Sequence, residues 1–155
     1  MFRLFIVSIL FSMVSCDPSR IYETNRDFEN GQWVSGDTAY FAIQVPDSAT
    51  RYNLLLNVRN TIDFNTARLF IQYELSDSNK VIRKRLVEQN LFDRKTGEPF
   101  GESGLGDIFS HRFVLENGIS FKKAGEIQIK LNHMMRTDTL SEIRSVGIRL
   151  ERVAQ

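Results

Sequence analysis

The sequence predicts an all-β domain, two antiparallel sheets packed as a jelly-roll-like sandwich, and three observations carry that expectation. Apolar and polar residues alternate with a period of two in segment after segment, turn-forming residues punctuate the chain at fairly even spacing, and no long helical period intervenes. Composition agrees: 155 residues at net charge +1, with 42% hydrophobic residues, describe a folded domain rather than a solvated tail. A closed up-and-down barrel would give the same alternation, because alternation does not say which strands pair.

The N-terminus is of another kind. Arg3 precedes an apolar run over 4–14 that only Ser8 and Ser12 interrupt, and the run ends in Met13, Val14, Ser15 and Cys16. One positive charge before a short apolar stretch is the pattern of an export signal, too short for a permanent membrane span. A small residue directly before the only cysteine resembles a bacterial lipoprotein signal, in which residues 1–15 are removed and the Cys16 thiol takes a diacylglyceryl group. Buried acyl chains gain about 0.8 kcal/mol per CH₂, so two or three of them hold a protein on a membrane. With its one cysteine so used, the mature domain has no disulfide and depends on packing.

Residues 16–31 are polar, contain Pro18 and the turn-like Glu29, Asn30 and Gly31, and read as lipid anchor and tether. Residues 32–155 form the sandwich domain. Alternation is clearest over 52–59, 68–75, 125–132 and 145–151, where Tyr52, Leu54, Leu56 and Val58, for example, share one face. Less regular strands are expected over 38–45, 80–88 and 107–115. Turn chemistry falls at 46–48, 76–79, 95–99, 116–118 and 123–125. Leu140, Ser141, Glu142 and Ile143 are expected to form one helical turn capped by Thr139.

Little in the sequence points to catalysis. His111 and His133 have no second histidine or cysteine at metal-ligand spacing, and His111 shares a strand face with Phe109 and Phe113. The stretch Gly101, Glu102, Ser103 and Gly104 misses the nucleophile-elbow spacing by one residue, and Gly97, Gly101, Gly104 and Gly106 fail the phosphate-loop pattern. A hydrolase using Asp107 and His111 has no independent support. No cofactor motif is present, and the near-zero net charge gives no field to attract nucleic acid. Trp33, Phe100 and Phe109 are candidate aromatic contacts for a partner.

Several of these landmarks recur together in a known family. Cys16, Trp33, the run 52–60, the run 64–70, the glycine-rich stretch 97–107, the run 121–125, Met135 with Arg136, and the run 146–151 resemble the gliding motility lipoprotein GldH family of Bacteroidetes. The resemblance spans nearly the whole mature chain and implies an envelope lipoprotein held on a membrane, the outer one favoured. It implies a non-enzymatic accessory role beside the gliding motility and type IX secretion machinery, whose envelope proteins would be its partners. Cys16 is the one position it carries over with a role. The alternative reading is a surface-displayed glycan-binding sandwich. The triplets beginning at Asp37, Asp47 and Asp138 also resemble the O-glycosylation acceptors of exported Bacteroidetes proteins, which makes Thr38, Ser48 and Thr139 candidate sites.

Overall fold

The computed structural model describes residues 17–77 and 80–153, so the signal segment, Cys16 and the turn residues Ser78 and Asn79 lie outside the described residues. The strands are β1 (Arg20–Asp27), β2 (Trp33–Val34), β3 (Ala39–Val45), β4 (Tyr52–Thr61), β5 (Arg68–Asp77) and β6 (Lys80–Asn90). They continue with β7 (Glu102–Ser103), β8 (Ile108–Ile119), β9 (Gly125–His133), β10 (Thr139–Leu140) and β11 (Ile143–Arg152). A five-stranded sheet has the order β1-β11-β4-β8-β7 and a four-stranded sheet the order β3-β9-β5-β6, with every pairing antiparallel. Leaving aside the short β7, these orders are those of two interlocked Greek keys, the eight-stranded jelly roll. The expectation of a two-sheet sandwich holds.

Alternation explains which faces meet. Tyr52, Leu54, Leu56 and Val58 of β4, and Val146, Ile148 and Leu150 of β11, are buried against Phe41 and Ile43 of β3, Leu69, Ile71, Tyr73 and Leu75 of β5, and Ile127, Ile129 and Leu131 of β9. A polar bridge crosses this core: the Tyr73 hydroxyl on β5 donates to Glu116 Oε1 on β8 at 2.6 Å, and Arg83 and Arg85 of β6 approach the same carboxylate. Burial and the Glu116 contact push the Tyr73 phenol well above its ordinary range, so it stays protonated and can donate.

Three local expectations are corrected. Residues 20–27, expected within a tether, are β1, paired in register with β11 from Glu23 opposite Arg149 to Asp27 opposite Ser145. Residues 116–118 do not end a strand: β8 runs on through two bulges opposite β4, and Gly118, at φ 66°, donates its amide to Asn53 Oδ1 at 2.9 Å. The helical turn after Thr139 is absent. Thr139 and Leu140 pair with Val34 and Trp33 instead, and Glu142 takes φ 71°, held there by hydrogen bonds from the Thr61 amide and hydroxyl.

The sandwich has two distinct ends. One gathers the start of β1, the loops 46–51 and 120–124, and the end of β11. It is tied together by the Arg152 amide to Ser19 O at 2.8 Å, the Val153 amide to Arg51 O at 2.9 Å and the packing of Phe121 on Tyr52. The other gathers the loops 28–38, 62–67, 91–107 and 134–142. Trp33 plugs that second end, stacked on Phe28 at 5.0 Å, edge-on to His133 at 5.2 Å, its indole N–H bonded to Asp37 O at 2.7 Å. Trp33→Ala is therefore expected to lower stability by about 3–5 kcal/mol, the usual cost of emptying a buried aromatic site, as read by urea unfolding.

Candidate functional site

The outer face of the five-stranded sheet is polar, and its organising residue is Arg149 on β11. Its side chain is only 6% exposed, yet it carries a full charge and meets three carboxylates: Glu23 Oε2 at 2.8 Å, Glu151 and Asp17. A buried guanidinium is tolerable only with such complete pairing, because desolvating it alone costs several kcal/mol. The other Glu23 oxygen accepts from Asn57 Nδ2 on β4 at 2.9 Å and from Arg112 on β8 at 3.4 Å. Side chains of β1, β11, β4 and β8 are thus linked across the sheet. Gly147 makes the β1 contact possible, since a Cβ there would collide with Asn25 and lie 2.5 Å from Thr24 O.

The charges are set by this geometry. Hydrogen bonds from the Ser19 hydroxyl and amide, reinforced by Arg149, hold the Asp17 carboxyl down to about 2. Burial pushes Glu23 upward, but the hydrogen bonds from Arg149, Asn57 and Arg20 outweigh it and keep Glu23 below its ordinary range.

Beside this network lies a cleft of about 290 Å³, lined by Asn25, Asn57, Arg59 and Arg112 of the sheet, by Phe100 of the loop leading into β7 and by Glu102 of β7. Gly101 lies against His111 so closely that a Cβ would stand 2.7 Å from Nε2 and 2.9 Å from Ser110 O. His111 is buried and stacked on Phe113 at 5.8 Å, and burial pushes its imidazole down to about 4. It is neutral at pH 7, a packed ring rather than a proton donor.

The predicted site residues are scattered. Trp33, expected as an exposed contact, is buried because its ring fills the gap between Phe28 and His133. Phe109 is half-buried, while Phe100 is 61% exposed at the mouth of the cleft. Asp107 is exposed on the loop before β8 and His111 is buried behind Gly101, so the two are not brought together. Of the candidate glycosylation hydroxyls, Thr38 is half-buried and donates to Asn132 Oδ1 at 2.6 Å, whereas Ser48 and Thr139 are exposed. The residues that organise the face, Asp17, Glu23 and Arg149, escaped sequence reasoning. The one available signal was that the polar side of 145–151 carries a lone arginine flanked by apolar positions.

A family model described as GldH lipoprotein matches residues 20–150, from the first residue of β1 to the residue after Arg149 in β11. The chain belongs to the GldH lipoprotein family. It is 26% identical over 151 residues to the gliding motility lipoprotein GldH homolog of Christiangramia forsetii, covering 93% of this chain and 90% of that relative. It is 22% identical over 146 residues to the gliding motility lipoprotein GldH of Flavobacterium johnsoniae, covering 90% of this chain and 89% of the relative. Among solved structures, a GH115 4-O-methyl-α-glucuronidase, BtGH115A, superposes at TM-score 0.50 and 8% identity over 90% of this chain but 18% of its own. That likeness concerns the fold of this GldH-family domain alone.

Two outcomes follow from the site. Arg149→Met should cost about 2–3 kcal/mol in urea unfolding, less than the ~3–5 of a fully buried pair because its partners are partly solvated. Stability should also fall in acid in two stages. His111 is protonated near 4 in the fold but near 6.5 when unfolded, so its contribution is complete above 6.5 and declines as pH drops toward 4. Asp17 and Glu23 are depressed, so theirs is complete above their ordinary values and is lost as pH falls further, toward about 2 for Asp17. His133, whose imidazole burial also holds below its ordinary value, shares the first stage, so His111→Gln should reduce that stage to the share of His133 and leave the second, read by unfolding midpoints across pH.

Proposed function

We propose that this chain is exported, loses residues 1–15, and is held in the cell envelope by lipid on Cys16, where it serves as a non-catalytic subunit of the gliding motility and type IX secretion apparatus. The observation that carries this reading is the way the chain continues from Cys16. Asp17, the next residue, is bonded to the buried Arg149, which supports a short connection between a lipid on Cys16 and the domain. Family membership supports the apparatus, since the relatives bear gliding motility names.

The partner surface is the end of the sandwich remote from Asp17. Leu105 is 95% exposed there, and Ile62, Met134 and Phe100 are exposed on neighbouring loops, an apolar group set among carboxylates. Held in a thin layer by its lipid, the domain needs only weak contacts at that end, because tethering raises its effective concentration. A second reading, glycan binding, draws on Phe100 standing over a cleft lined with asparagine and arginine side chains, the furniture of sugar recognition. Ser48 and Thr139 are the exposed acceptors for O-glycosylation under either reading.

Deletion of the gene in its host should abolish secretion through the type IX route, and gliding where the host glides, with rescue by the intact gene. Phe100→Ser with Leu105→Ser should fail to rescue while leaving stability within about 0.5 kcal/mol, as exposed substitutions do. Normal secretion and motility after deletion, together with binding on a carbohydrate array, would favour the glycan reading instead.

A further inference from the structure

We propose that the Cys16 end of the sandwich rests directly on the membrane surface and binds anionic phospholipid headgroups through Arg20, Arg51, Lys122, Lys123 and Arg152. The proposal rests on lipid attachment at Cys16 and adds an orientation and a headgroup chemistry to it.

The first argument is the absence of slack. Asp17 is bonded to Arg149, the Arg20 amide reaches Asp17 O at 3.3 Å, and Ser19 O accepts from Arg152. Consecutive Cα atoms are about 3.8 Å apart, so acyl chains on Cys16 would enter the bilayer one peptide unit from Asp17, which is itself bonded to the sheet through Arg149. A domain joined so closely brings its adjoining loops to the headgroups.

The second argument is what those loops carry. Arg20 at the start of β1, Arg51 before β4, Lys122 and Lys123 before β9, and Arg152 at the end of β11 are all exposed, and the strand pairings bring them to this one end. Of the carboxylates here, Asp47, Asp77 and Glu151 are half-buried, Glu151 against Arg149 and Asp47 accepting the Thr50 amide of its own loop at 2.7 Å. Asp17, which shares Arg149, and Glu126 are exposed, two carboxylates against five exposed cations. Arg20 also touches Glu23 at 3.2 Å, but it is exposed and can serve both.

The opposite end has the reverse sign. Glu29, Asp63, Glu98, Glu102, Asp107 and Asp138 are exposed there, against Arg94, Lys95 and Arg136. A chain of net charge +1 has therefore sorted its charges along the strand axis. Each basic residue near an anionic leaflet strengthens attachment about fivefold, an effect confined to roughly the 8 Å screening length. Only the Cys16 end can lie within that layer. The acidic, apolar end then faces away, toward protein partners.

The test uses the acylated protein purified from membranes and reconstituted in phosphatidylcholine vesicles with or without phosphatidylglycerol. Lysines are labelled with a water-soluble amine reagent and quantified by mass spectrometry. Lys122 and Lys123 should label about fivefold more slowly when phosphatidylglycerol is present, while Lys95 at the far end is unchanged. Arg51→Glu with Arg152→Glu should remove that protection, and Lys95→Glu should not. Acylated protein that floats with both vesicle types but labels alike in each overturns the headgroup surface and leaves the anchor standing. A chain that lacks acyl groups on Cys16 and floats with neither overturns both.

Discussion

The structure depends on one buried cation. Arg149 lies within a sheet face where water scarcely reaches, and its charge is tolerable because Glu23, Glu151 and Asp17 close around it. Each carboxylate comes from a different place in the chain. Glu23 lies opposite Arg149 in the register of β1 on β11, Glu151 comes from β11 itself two residues beyond Arg149, and Asp17 ties in the turn that precedes β1. Without this cation the first strand would keep its ladder bonds, the Glu23 contacts to Asn57 and Arg112 and the Arg26 bonds to Asp37 and Thr38, but would lose the tie that joins Glu23 and Asp17 to β11.

That constraint joins architecture to role. A jelly roll closes its core between two sheets and leaves two ends of loops, and the Arg149 cluster fixes Asp17 and the start of β1 at one of them. Exposed cations gather at that end, and exposed carboxylates and apolar side chains at the other, which gives the domain a direction. The one buried histidine beside the cleft, His111, is kept neutral by burial and is shielded by Gly101.

The parts legible in the sequence were those governed by a single periodicity. β5 and β9 bury every second residue, and β4 and β11 carry the same apolar alternation although they are buried on more of their length, so alternation revealed them and their inward faces. β1 was hidden because its outer face is polar and its inner face only half-buried, the signature of an edge strand. Residues 116–118 read as a turn because a bulge needs the same glycine at positive φ that a turn needs. The stretch after Thr139 read as helix because a residue such as Glu142 at positive φ leaves no periodic mark; its support from Thr61 is distant in sequence. Trp33 illustrates the same limit: an aromatic beside a turn says nothing about whether a cage of Phe28 and His133 awaits it. Alternation over 145–151 puts Arg149 on the polar side of its strand, but that this side is roofed by three carboxylates is a property of the assembled sheet.

The central claim is that the chain is tied to Arg149 at Asp17 and joins the sheet as β1 from Arg20, with Arg149 holding both Asp17 and Glu23. Native-state hydrogen exchange of the β1 amides that face β11 measures this most directly. The account predicts that these amides exchange orders of magnitude more slowly than an open peptide, and that Arg149→Met releases them before the rest of the sheet. Exchange of the β1 amides at open-peptide rates in the unaltered protein would contradict it.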